Sequence, residues 1–287
     1  MSFIRLGLCL LFLVTYVEIV SAAVTPATQD PLVVERATEE EARQVQEVSD
    51  TFERRMRETR DAASLKDLFL EDFVRLHVNA EMTSYPDKPI SLLESIPLSL
   101  KRDLAPQVSQ QDWERFYAAR LNLRYYFVLL LVSRTKYSDL DKPNDSLMQK
   151  LYPADVLTLL QANPFVKGEY GLEHDHNRHQ IETLEEFSSL INTLDQAAMM
   201  LRQRFLKHPP EQTRIYQENL RRASNEHEGR KTGLIWPHVY GTGESRLGFP
   251  KGTRFFHRIT ADSMFELSMV KTDNGIRIVW ASVYPFN

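Results

Sequence analysis

Three groups of residues in this chain have types and spacings that could do chemistry. The first lies in the C-terminal quarter. A strand over 234–240 would place Trp236, His238 and Tyr240 on one face, with His257 and Glu266 on neighbouring strands. Facing a pocket, a His or Glu there could serve as a general base and Tyr240 as a hydrogen-bond donor. Facing solvent, the same residues would only pair across strands. Trp236, His238, Tyr240, His257 and Glu266 are therefore the candidate binding residues, and no catalytic residue is assigned. The second group is Glu173-His174-Asp175-His176-Asn177-Arg178-His179. If Asp175 to His179 open a helix, Asp175 and His179 share a face at i,i+4. A closed metal site needs a third and a fourth ligand, and the spacing suggests neither. The patch reads as a polar helix start, and neither metal nor cofactor is expected.

The third group is Ser133-Arg134-Thr135-Lys136 with Lys231-Thr232-Gly233. S-x-x-K with K-T-G resembles serine β-lactamases and penicillin-binding proteins. That chemistry needs the serine at the start of a buried helix and the lysine one turn later. Here Ser133 falls at a helix end, K-T-G precedes its strand, and Ser138-Asp139 continues with Leu140 where S-D-N needs Asn. Gly241-Thr242-Gly243 lacks the third glycine of a nucleotide loop.

Composition narrows the remaining classes. The 287 residues are 43% hydrophobic and 26% charged, an ordinary globular mixture. A formal charge of −4 removes the basic field that nucleic-acid binding needs. Arg5, the apolar run Leu6 to Val20 and the small residues of Val20-Ser21-Ala22 have the form of an export signal cleaved after Ala22. The run is shorter than the ~20 residues of a spanning helix, so no membrane span is expected after signal removal. The only cysteine, Cys9, lies in that segment. The mature chain would then have no disulfide, thiolate site or cysteine nucleophile. The expected location is exported, periplasmic or secreted, in a bacterium.

The elements that must position any site follow from periodicity. Residues 23–37 read as a flexible N-terminus. Thr38 and Glu41 form a capping box before a helix whose apolar row is Ala42, Val45, Val48, Phe52 and Met56. Ser64 opens a short helix, and Phe73 to Val78 alternates as a strand. Four prolines break residues 80–110. Ser109 and Asp112 cap a long helix that begins with Trp113, Phe116 and Tyr117 and is apolar all round from Phe127 to Val132. A shorter helix follows Pro153. Ile181, Leu184, Phe187, Ile191, Leu194, Ala198, Leu201 and Phe205 step by three or four, a stripe expected to pack on the Trp113 helix. Pro209-Pro210 end it, and a polar helix runs from Glu211 to about Glu226. Strands are expected at 234–240, 253–259, 264–271 and 276–284, the last two joined about Asn274-Gly275. Phe265, Leu267 and Met269 would form one apolar row, and Ile276, Ile278 and Trp280 another.

Two stretches resemble a known family. Phe52 through Val74, with Arg60-Asp61, Leu65, Leu68-Phe69 and Asp72-Phe73-Val74, is similar to the opening of ketosteroid-isomerase / nuclear-transport-factor-2-like domains. Phe265-Glu266-Leu267, Val270 to Gly275 and Ile276 to Trp280 resemble their closing hairpin. The resemblance covers under a third of the chain. It implies an α+β cone: a curved antiparallel sheet packed on helices, here with a large, mostly helical insertion. The expected organisation is a signal peptide over 1–22, the flexible 23–37, a cone-like domain from 38–82 and 229–287, and a helical insertion over 83–228. The family includes both enzymes and binding modules, and no position matches its catalytic Asp or Tyr. Two functions follow. One is non-catalytic binding of a small apolar ligand or a protein partner. The alternative is an isomerase- or dehydratase-type enzyme using acid–base chemistry in an apolar pocket.

Overall fold

Thr38 and Glu41 bond each other reciprocally, and α1 runs Glu39–Thr59 behind them. Thr38 Oγ1 accepts from Glu41 N at 3.2 Å, and a Glu41 carboxylate oxygen accepts from Thr38 N at 2.9 Å. A computed structural model describes residues 37–71, 100–101, 103–136, 150–166, 180–229, 236–239, 253–260 and 264–283. The buried row of α1 is Glu41, Val45, Ser49, Phe52 and Met56. Ala42 and Val48, expected in that row, are half-buried.

The chain leaves α1 through Arg60, at φ 50°, ψ 41°. It is the only non-glycine residue with positive φ among the described residues. A non-glycine side chain is disfavoured there, so surrounding contacts must hold it. Tyr126 donates its hydroxyl to Arg60 O, and the Arg60 guanidinium pairs with Glu211. Asp61 then caps a 3-10 helix, Ala62–Leu68.

The second long helix, α2 (Gln110–Arg134), starts at Ser109, whose hydroxyl accepts from Asp112 N at 3.1 Å. Leu129, Leu130 and Val132 are buried on different sides of it, as its all-round apolar run requires. Its last carbonyls would be orphaned, but buried Asn219 donates to Val132 O at 2.8 Å and Thr135 O at 3.0 Å. Helix α3 spans Ala154–Ala162, α4 Leu184–Lys207 and α5 Arg214–Gly229. Helix α4 begins three residues after Ile181 because Thr183 and Glu186 form a second capping box. Its apolar stripe packs on α2 as expected: Phe187 lies 5.2 Å from Trp113 and 5.3 Å from Phe116, and Phe205 lies 5.5 Å from Tyr126, ring centre to ring centre. Leu184 departs from the stripe and is exposed.

The sheet is a four-stranded antiparallel meander: β1 Trp236–Val239, β2 Arg254–Ile259, β3 Phe265–Thr272 and β4 Gly275–Val283. The expected α+β class, an antiparallel sheet packed on helices with a largely helical middle section, is the observed architecture. The β3–β4 hairpin forms about Asn274-Gly275, as expected. Thr272 pairs with Gly275, so the turn residues are Asp273-Asn274. Neither has positive φ, whereas Gly275 sits at φ 94°. The Asp273-Asn274 turn is therefore closed by a left-handed glycine. Pairing also slips between Ser268 and Met269: Ser268 meets Trp280 and Met269 meets Ile278, leaving Val279 extra. This bulge reverses the phase of β4. Ile276, Ile278, Ala281 and Val283 enter the main core, and Trp280 does not. The expected row of Ile276, Ile278 and Trp280 is thus broken after Ile278.

One apolar core joins the helices to the sheet. Phe265 sits at its junction, 5.1 Å from Phe52 of α1 and 5.3 Å from Tyr125 of α2. Beside β4, Phe69 forms a parallel bridge with Ile278, and Leu70 N donates to Ile278 O at 2.9 Å. The strand expected at Phe73 to Val78 lies outside the described residues. None of the described helices is long and apolar enough to cross a membrane.

Candidate functional site

The corner after α1 builds one wall of a groove. Asp61 Oδ1 accepts from Ala63 N at 3.0 Å, which starts the 3-10 helix. Asn122 of α2 accepts from Ala62 N at 2.7 Å, and Arg202 of α4 donates to Thr59 O at 2.7 Å. Two helices distant in sequence thereby hold the corner. Burial holds the Tyr126 hydroxyl far above the usual phenol range, so it acts here as a fixed donor.

Between this wall and α2 lies an open groove of about 1060 Å³. Ala62, Phe69, Leu70, Tyr117, Ala118 and Leu121 supply its apolar surface. Tyr117 is pinned at its tip, donating to Ala281 O at 2.6 Å and accepting from Ala281 N at 2.7 Å. Its ring meets Phe69 edge-on at 6.0 Å. Several polar groups at the groove have partners, while Gln110 Oε1 is buried without one. Lys66 Nζ reaches Glu114 at 2.9 Å, and Gln110 donates to the same carboxylate at 3.3 Å. Asp67 binds Arg55 at 2.5 Å, which holds its carboxyl below the usual range. Lys66 likewise has its pKa raised by Glu114.

The five candidate residues read from the sequence lie elsewhere, on the sheet. His257 and Glu266 come together: His257 Nε2 is 2.8 Å from Glu266 Oε1, and both are about seven-tenths buried. The register sets Trp236 opposite His257, His257 opposite Ser268, and Ser268 opposite Trp280. His238 falls opposite Phe255. Tyr240 lies outside the described residues. His257, Glu266 and Ser268 alternate with core residues, so this row faces away from α1 and α2. Phe255, Val270 and Val279 form a small apolar cluster there, with Leu70 against it.

Of the other two groups, Ser133 is buried in the last turn of α2 and donates to Leu130 O at 3.2 Å. No following turn holds Lys136, since α2 ends at Arg134. Lys231-Thr232-Gly233 and the histidine-rich patch at 173–179 lie outside the described residues. Among the described residues, no three His, Cys, Asp or Glu side chains gather as a metal site.

The groove was missed because its two walls are far apart in the chain, with Lys66 and Glu114 separated by 48 positions. The one sequence cue was Arg60-Asp61 followed by paired alanines. Compared with known proteins, the chain matches no family model, no curated protein and no solved structure.

Proposed function

We propose that the chain is an exported, non-catalytic binding domain that takes a small apolar ligand in the groove between residues 62–71 and α2. The observation that carries this is an apolar floor of Phe69, Leu70, Tyr117, Ala118 and Leu121, bordered by the Lys66–Glu114 and Asp67–Arg55 ion pairs. Lys66 is engaged by Glu114 and Asp67 by Arg55, so neither is a free acid or base in the space. A volume of about 1060 Å³ lies at the upper end of ligand pockets. The likeness to ketosteroid-isomerase / nuclear-transport-factor-2-like domains belongs to the same reading. It is supported by the order helix, short helix, segment beside the last strand, and terminal hairpin. The enzyme reading has one observation in its favour, the His257–Glu266 hydrogen bond.

Titration with the apolar fluorophore anilinonaphthalene sulfonate separates the two. Ala118→Trp fills the groove and should abolish saturable binding at an unchanged melting temperature, while His257→Ala binds like the parent. Loss in His257→Ala with retention in Ala118→Trp would move the site to the sheet face. Export is supported by the Leu6 to Val20 run and the small residues after it. Mass spectrometry of the protein from its host should find a start at Ala23, and an intact Met1 terminus in the cytosol would remove that part.

A further inference from the structure

Helix α4 has a second face that its packing on α2 leaves open. Asn192, Gln196, Met199, Gln203 and Leu206 are all exposed, Met199 at 51% and Leu206 at 50%, and Asn192 at the end of the row accepts from Arg115 of α2 at 3.0 Å. They repeat at steps of four, three, four and three, the spacing of a coiled-coil seam. None is charged, although the outward side of a surface helix normally carries charge. Asp195 and Arg202 border the row, seven residues apart, and Lys207 borders its other side. Along α4 every acidic residue (Glu185, Glu186, Asp195) precedes every basic one (Arg202, Arg204, Lys207).

We infer that this face docks a second copy of the chain, with the two α4 helices antiparallel about a two-fold axis at Met199. Met199 then meets its own copy, Gln196 meets the second copy's Gln203, and Asn192 meets the second copy's Leu206. The bordering charges choose both partner and direction. Antiparallel pairing sets Asp195 beside the second copy's Arg202, twice by symmetry. Parallel pairing would set Arg202 beside the second copy's Lys207, like against like. Antiparallel macrodipoles favour the same arrangement. Asp195 and Arg202 keep about two-fifths of their side chains exposed beside their contacts to Arg115 and to Thr59 O and Asp61, and on that exposed part both meet the second copy. The row is about 21 Å long at ~1.5 Å per residue. A single-helix seam of that length lies at the low end of specific interfaces, which makes the dimer weak and concentration-dependent. The inference is independent of the groove.

Cysteine cross-linking tests it, because Cys9 is the only natural cysteine. In the full chain carrying Cys9→Ser, Met199→Cys should form a disulfide-linked dimer under mild oxidation. Asn192→Cys should not, since its two copies would lie about 21 Å apart and a disulfide needs Cα atoms within about 7 Å. Mixing Asn192→Cys with Leu206→Cys should restore the cross-link. By sedimentation, Asp195→Arg should weaken self-association at least tenfold, and adding Arg202→Asp should recover it, with melting temperature reporting folding. A monomer at every concentration, or Asn192→Cys cross-linking as fast as Met199→Cys, overturns the inference.

Discussion

The two faces of the sheet are built from the same alternating strands and end in opposite environments. On the helix side, Phe256, Phe265, Leu267, Met269, Ile276 and Ile278 are at most 2% exposed. On the other side, His257 and Glu266 remain about three-tenths exposed, beside an apolar cluster that among the described residues holds Phe255, Val270 and Val279. Strand alternation creates two faces, but docking of α1 and α2 decides which becomes core. The helix side also holds a charge. Glu41 is 3% exposed and accepts from Arg254 at 2.8 Å and Lys271 at 3.0 Å, tying the start of α1 to β2 and β3. Burial pushes its carboxyl up, but the hydrogen bonds from Thr38 N, Lys271 and Arg254 outweigh that and bring its pKa down to about 2. Arg258, on the same side, has its pKa lowered by burial, against the pull of Asp50 and Glu53.

The largest difference between the faces should appear at Phe265. Phe265→Ala removes a ring wedged between α1 and α2 and should cost about 3–5 kcal/mol in denaturant unfolding. A cost under about 1 kcal/mol would mean the helix side is not the core.

Glu41 sharpens the comparison through pH. Its folded pKa of about 2 lies below the ordinary value of 4.5. Its contribution is therefore complete above about pH 4.5 and is lost as pH falls towards 2. It amounts to roughly 3 kcal/mol at neutral pH. Glu41→Gln should lose that stability at pH 7 and be flatter than the parent through the acid window. Parallel acid curves for the two proteins would show that the ion pairs contribute little.

The smallest effect belongs to the outer face. Glu266→Gln should change stability by less than about 1 kcal/mol, because a pair still about three-tenths exposed gains little over solvent. A loss of several kcal/mol in chemical unfolding would show that this face is covered and structural.

Local signals were legible where the physics is local. Thr38 with Glu41, Ser109 with Asp112, and the stripe from Phe187 to Phe205 each fall within one helix, and each is present. Thr183 with Glu186 is an equally local box, and it moved the start of α4 to Leu184. His257 and Glu266 were legible as neighbours because they share adjacent strands. Trp280 was not legible, since the bulge at Val279 depends on what Ala281 and Val283 meet inside.

Residues near one another in the chain set the helix periods, the caps at Thr38 and Ser109, the positions of β1 to β4 and the lack of any cysteine after Cys9. Tertiary structure alone decided that Glu41 enters the core and that Arg60 takes a left-handed turn, because their partners, Arg254, Lys271, Tyr126 and Glu211, come from distant segments. It also decided that Ala62 and Ala118 share a groove. Hydrogen bonds and periodicity within one turn are written in adjacent residues, whereas a buried charge or a groove exists only once separate segments meet.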